Sequence, residues 1–317
     1  MKPSSVIDWL LEPDQPAVRY LTLVNLLDLS ERDSEVRSVR SDIGSKGWVR
    51  EIFQLQSARG YWESSESLYD PKYTATNWRM LVLSDLGVNR DESRISKASS
   101  LFFERWLDER KEENIFTDEI CVVGNTARML TRFGYEDDGR VKRLFDRIVE
   151  IQKEDGGWHC FKSDTGTLDS WEGLAAFASL PKSKWRRKIR NSAERVAEFY
   201  LQRHLFREGR RRYAPWFRFH YPRHYYYDLL VGLDVITSFG YTDDMRLKPA
   251  LELLKRTRLK DGRWILDATH PDLGQGAEYR LRRKPKRFIL EKVGQPSKMI
   301  TLIAMKVLKR VEGDLPR

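Results

Sequence analysis

Two short stretches of the chain collect most of the side chains that could do chemistry. Residues 69–78, Tyr69-Asp70-Pro71-Lys72-Tyr73-Thr74-Ala75-Thr76-Asn77-Trp78, place acid, base, phenol, amide and indole within ten positions. Residues 216–228, Trp216-Phe217-Arg218-Phe219-His220-Tyr221-Pro222-Arg223-His224-Tyr225-Tyr226-Tyr227-Asp228, hold two of the five histidines among aromatic rings. Imidazole titrates near neutral pH, so His220 and His224, with the Tyr226 phenol, suit proton transfer. Asp70 and Asp228 would serve as proton donors if burial raised their pKa values. The ring faces of Trp78, Trp171, Tyr225 and Tyr227 could stabilise a positive centre through their quadrupoles. The catalytic candidates are therefore Asp70, His220, His224, Tyr226 and Asp228, and no pattern among them names a cofactor. Tyr73, Asn77, Glu172, Trp216, Arg218, Asp267 and His270 complete the candidate ligand contacts, with Asp169 entering beside Trp171.

Self-similarity along the chain says which elements must hold these side chains. Gln56-Ser57-Ala58-Arg59-Gly60-Tyr61-Trp62 and Gln152-Lys153-Glu154-Asp155-Gly156-Gly157-Trp158 both read QxxxGxW, and residues 258–264 keep Gly262 and Trp264 with Arg258 in place of Gln. Residues 110–116 form a degenerate fourth copy, with Asn114 where the others have Gly. Gly87, Gly134 and Gly240 are each followed four residues later by Asp91, Asp138 or Asp244, the order expected of a helix C-cap and the next N-cap. Gly134 to Gln152 and Gly240 to Arg258 are both 18 residues apart.

Between these marks the apolar residues fall at helical spacing. Leu144, Ile148 and Ile151, and again Leu247, Leu251 and Leu254, outline amphipathic outer helices. Residues 76–86, 121–133, 171–180, 226–239 and 299–308 are small and apolar nearly all round, as inner helices buried on both sides should be. With 16–29 as a further inner helix preceded by 5–11, the chain reads as about six outer-inner hairpins. No strand alternation competes, so the expected fold class is all-α in one domain. Hairpins that all place the same kind of helix inside will curve, and about six can close on themselves. Both chemistry-bearing stretches lead into inner helices, whose N-termini offer free N–H groups and partial positive charge to an anion.

QxxxGxW followed by a small-residue inner helix resembles the QW repeat of squalene-hopene and oxidosqualene cyclases and the matching repeat of protein prenyltransferase β-subunits. The resemblance covers about residues 45–311 and implies an α/α toroid spanning 1–317. It also implies a structural role for Gln56, Trp62, Gln152, Trp158 and Trp264, and a hydrophobic, isoprenoid or phosphate-bearing ligand in a central cavity. The acid motifs do not carry over. Neither the DxDD nor the DCTA of class II cyclases occurs, nor the DDxxD of class I synthases, and Glu136-Asp137-Asp138 and Asp243-Asp244 sit where helix caps belong. The nearest match to the prenyltransferase DxC zinc motif is Glu119-Ile120-Cys121, which with His270 would be a zinc-type donor set. A buried Cys on an inner helix also needs no metal to explain it.

Three readings follow. In the first, cyclase-like, aromatic faces hold carbocations and a desolvated Asp supplies the proton. In the second, the architecture is similar to the α/α barrels of polysaccharide lyases, and Asn77, Arg218, His220, His224 and Tyr226 neutralise a uronate and move its proton. The third is polyanion or nucleic-acid binding through Arg186-Arg187-Lys188, Arg207 with Arg210-Arg211-Arg212, and the basic run over 280–287.

Composition bounds these readings. Of 317 residues, 40% are hydrophobic and 33% charged, which supplies a core and excludes wholesale disorder or a collagen-like chain. Two cysteines, Cys121 and Cys160, cannot build a disulfide framework. No uncharged apolar run approaches the ~18 residues of a membrane span, and the first residues lack a signal-peptide hydrophobic stretch, so a cytoplasmic location is expected. Lys and Arg number 57 against 47 Asp and Glu, a net charge of +10 that favours anionic partners.

Overall fold

The computed structural model describes residues 5–108, 110–111, 114–208, 213–269 and 290–315. Within these the regular structure is helical, with isolated bridge pairs and no strands. The chain begins with α1 (Val6–Leu10), α2 (Pro16–Asn25), α3 (Ser34–Asp42) and α4 (Gly47–Gln54). It continues through α5 (Thr76–Asp85), α6 (Ser93–Arg105), α7 (Ile120–Arg132), α8 (Gly139–Glu150) and α9 (Glu172–Ser179). The last four are α10 (Arg187–Gln202), α11 (Leu229–Ser238), α12 (Lys248–Arg256) and α13 (Lys298–Glu312). None of the described helices is long and apolar enough to cross a membrane.

The helices fall into the two kinds that periodicity predicts. In α5, α9 and α11 all or nearly all residues are buried, and α7 and α13 are buried over most of their length. In α8 only Val141, Leu144, Phe145 and Ile148 are buried, one stripe of an otherwise charged helix. The inner helices touch in succession, α5 on α7, α7 on α9, α9 on α11, α11 on α13 and α13 on α2. Outer helices pack behind them, α6 on α5, α8 on α7, α10 on α9 and α12 on α11. Their buried apolar residues form one contiguous cluster.

The repeats are the fasteners of this arrangement. Trp62, Trp158 and Trp264 each bury the indole and donate its N–H to the carbonyl ten residues back, Ile52, Ile148 and Leu254, at 2.8, 2.9 and 2.9 Å. Gln56 donates to Gly60 O and to Arg94 O, and Gln152 donates to Gly156 O and to Ser192 O, so each amide ties its own turn to the next outer helix. Arg258 makes the first of these bonds, to Gly262 O. The repeat glycine is required because the chain turns there with φ near +90° (Gly60 95°, Gly156 91°, Gly262 88°), where a Cβ is strained. Asp138 and Asp244 cap the following helical turns as expected. Asp91 does not. Glu92 caps α6, and Asp91 instead bonds Asn89.

Two parts of the sequence reading need correction. The segment 30–55, given no helix above, carries α3 and α4. The inner helix placed over 226–239 starts at Leu229, because the Asp228 side chain accepts from Val231 N and caps it. Tyr226 and Tyr227 therefore precede the helix.

Candidate functional site

Asp228 does two things at once. Its Oδ1 caps α11, while Oδ2 accepts from the His220 backbone N at 2.9 Å and from His220 Nδ1 at 2.6 Å. A carboxylate can only accept, so the imidazole hydrogen sits on Nδ1 and the lone pair of neutral His220 is on Nε2. That nitrogen is buried and has no hydrogen-bond partner among the described residues. The Tyr226 ring stands edge-on to the imidazole at 5.5 Å. An oriented imidazole with a spare lone pair is general-base geometry.

The next residues of the same strip join an aromatic wall. His224 is buried and packs on Tyr73 at 5.3 Å and on Trp78 at 5.4 Å. Tyr73 and Tyr225 share a hydrogen bond of 2.5 Å, and Trp78 contacts both rings. Tyr73 lies in the left-handed region at φ 71°, and the Trp78 indole fixes the loop by donating to Tyr69 O at 2.6 Å. The Lys72 ammonium lies over the Tyr225 ring at 5.4 Å and the Tyr69 ring at 5.9 Å. The wall thus already holds one cation on its faces.

Polar groups from α7 hold this strip from within. Asn125 Nδ2 donates to His224 O at 2.9 Å and Arg128 Nη2 to Arg223 O at 3.1 Å. The Arg128 guanidinium, pushed down to about 10 by burial, lies over the Trp171 ring at 4.9 Å. Beside it, Glu172 opens α9 with its side chain fully buried, and neither carboxyl oxygen is hydrogen-bonded to another residue. Burial pushes this carboxyl well above the usual range, and the nearby Cys160 adds to the shift. Gly124 makes the approach of α9 to α7 feasible, since a Cβ there would stand 2.7 Å from the Glu172 backbone. The two cysteines also meet. Their mutual hydrogen bond brings the Cys160 thiol down to about 7 and drives the Cys121 thiol up. Among the described residues no group of three or more His, Cys, Asp or Glu is arranged to hold a metal ion, and His270 lies outside them.

The candidate residues thus separate. His220, His224, Tyr226, Asp228, Tyr73, Trp78 and Tyr225 come together, and Trp171 and Glu172 join them through Arg128. Asn77 is buried at the start of α5 with an unpartnered Oδ1. Asp70 is exposed, so it lacks the desolvation a donor needs, and Asp228 is committed to His220 and the helix cap. Tyr227 and Trp216 are packing residues that donate to Leu205 O and Asp169 Oδ1. Exposed Arg218 donates to Asp267 O, and Asp267 Oδ2 accepts from Phe219 N, which pins the strip to the last repeat. Of the basic runs, Arg186 is paired with Asp146, and the segments 210–212 and 280–287 lie outside the described residues.

Asn125 and Arg128 were missed. The signal was there, a polar pair three positions apart on a helix that the pattern buries on both sides. The chain matches no family model, no curated protein and no solved structure.

Proposed function

We propose that the chain is an α/α toroid, similar to the terpenoid cyclases and prenyltransferases its repeats resemble, and that its interior holds a hydrophobic, isoprenoid-type ligand. Ring closure is supported by the succession of inner-helix contacts from α5 round to α2. At the remaining seam, a Cβ on Gly87, just after α5, would stand 3.0 Å from the Tyr20 ring of α2.

The observation that carries the reading is Glu172. A carboxyl whose pKa burial raises well above the usual range is a proton source suited to an alkene. Its O–H bond would break, the alkene electron pair would take the proton into a new C–H bond, and the positive charge left on the neighbouring carbon would face the aromatic wall. Loss of a proton from a later cation closes the reaction, and Glu172 is reprotonated from solvent. Glu172 thereby takes the role assigned above to Asp70 and Asp228. The test is a panel of isoprenoid alcohols and diphosphates scored by melting temperature and product formation. At least one member should stabilise the protein and be turned over, and Glu172→Gln should bind it without turnover. A panel that shifts nothing overturns the reading.

The His220–Asp228 pair favours a second reading, proton abstraction from a uronate by Nε2 followed by elimination. Wild-type protein should then raise the ultraviolet absorbance of a uronate polymer, and His220→Gln should not; a flat trace with every polymer removes this reading.

A further inference from the structure

Cys121 and Cys160 are the two cysteines of the chain, and the fold brings them into contact from 39 positions apart. Cys121 is the second residue of α7. Cys160 sits in the loop that leads from Trp158 towards α9. The base of that loop is closed by the pairing of Trp158 with Thr167 and by Asp155, which accepts from Gly166 N at 2.9 Å. Both cysteines are half-buried rather than sealed in the core, and the residues that follow Cys160 in the chain, Phe161 and Lys162, are exposed.

Several donors converge on the Cys160 sulfur. They are the Cys121 thiol, the Cys121 backbone N–H in the first turn of α7, and the Ser170 hydroxyl. Donors to a sulfur favour its charged form, and they bring this thiol down to about 7 against the opposing effect of burial. The Cys121 thiol, as the donor of the pair, is pushed up. A cysteine serving only as a small apolar filler needs neither the donors nor the opening to solvent. A metal does not explain the pair either, because among the described residues no third His, Cys, Asp or Glu stands where it would complete a metal site with them.

We infer that the two cysteines form a peroxide-reactive dithiol, with Cys160 as the attacking sulfur and Cys121 as the resolving one, which closes to an internal disulfide. The Cys160 thiolate attacks one peroxide oxygen, the O–O bond breaks, and the departing hydroxide takes a proton from solvent and leaves as water. Cys160 is then a sulfenic acid. The Cys121 sulfur attacks it, the S–S bond forms as the S–O bond breaks, and the second hydroxide leaves as water with the Cys121 proton. The two thiols together lose two electrons and the peroxide gains them. Peroxide is the electrophile this arrangement suits, since the sulfenic acid it makes is the product that a neighbouring thiol resolves. The bridge ties the first turn of α7 to the loop that leads into α9. None of this depends on the ligand or the reaction proposed for Glu172.

The experiment is oxidation of the full chain, reduced beforehand and freed of reductant, by hydrogen peroxide at neutral pH, read by intact mass and by thiol titration of the denatured protein. The wild type should lose two hydrogens and both titratable thiols while remaining a single chain, and dithiothreitol should restore them. Cys121→Ser should stop at the sulfenic acid, which dimedone traps on Cys160. Cys160→Ser should lose its remaining thiol roughly tenfold more slowly than the wild type loses its thiols. No isoprenoid takes part, so an inert isoprenoid panel and an unreactive dithiol are separate outcomes. The inference is overturned if the wild-type thiols survive a peroxide dose that oxidises free glutathione under the same conditions, if oxidation gives disulfide-linked dimers in place of an internal bridge, or if Cys160→Ser reacts at the wild-type rate.

Discussion

Glu172 and Asp234 are both buried carboxylates, and their surroundings send them in opposite directions. Asp234 meets Arg223, Lys306 and Arg310 and is held well below the usual carboxylate range, their attraction outweighing its burial. Glu172 meets no such partner at hydrogen-bond distance and burial raises it. The consequences for stability have opposite sign. Asp234 contributes stability above the ordinary Asp pKa, which is lost as the pH falls through its depressed value. The stability associated with Glu172 is fully present below the ordinary Glu pKa of about 4.3 and is lost as the pH rises toward its raised value, by up to about 1.4 kcal/mol per pH unit. Glutamine mimics the neutral acid. Urea denaturation of Glu172→Gln should therefore give wild-type stability near pH 4.5 and greater stability than wild type at pH 8; a variant weaker than wild type at pH 8 would contradict the buried, uncharged acid.

At the scale of elements, the repeat motif is a fastener between an outer helix and the turn that follows it. Trp158 joins the end of α8 to the loop before α9, so Trp158→Phe deletes the bond to Ile148 O and leaves a void in a filled core. A loss of roughly 2–4 kcal/mol is expected by chemical denaturation. Gly156→Ala should cost on the order of 1–3 kcal/mol, because φ is 91° and the new Cβ would stand 2.6 Å from Arg195 O. These features were legible in the sequence, since period, cap and turn glycine are all set within one or two turns of chain. Three elements were not read: α3, α4 and the start of α11. α3 reads SEVRSVRSD and buries only Val36 and Val39, too few apolar positions to mark a face. Tyr226 and Tyr227 were placed in the inner helix over 226–239, and only the Asp228 cap moves its start past Tyr227.

Over the whole molecule, the last helix is packed against one of the first. α13 contacts α2 and α11, and Lys309 donates to Leu26 O at 2.9 Å and pairs with Asp28. Removing residues 298–317 would uncover the apolar faces of both neighbours, so the truncated chain should lose its cooperative melting transition in circular dichroism; a sharp transition near the wild-type temperature would show that the remaining helices stand alone. The alternation of buried and half-buried helices, the repeat turns with their glycines and the Asp138 and Asp244 caps follow from the sequence by itself, because each is set by residues close together along the chain. Which carboxylate loses its water does not. Asn125 and Arg128 grip carbonyls 99 and 95 residues further along, and it is this packing of distant segments that buries Glu172, leaves Asp70 in solvent and leaves Arg223 Nη2 and the Tyr221 hydroxyl buried without a hydrogen-bond partner among the described residues. Desolvation and charge pairing are properties of neighbours in space, so only the tertiary structure could decide them.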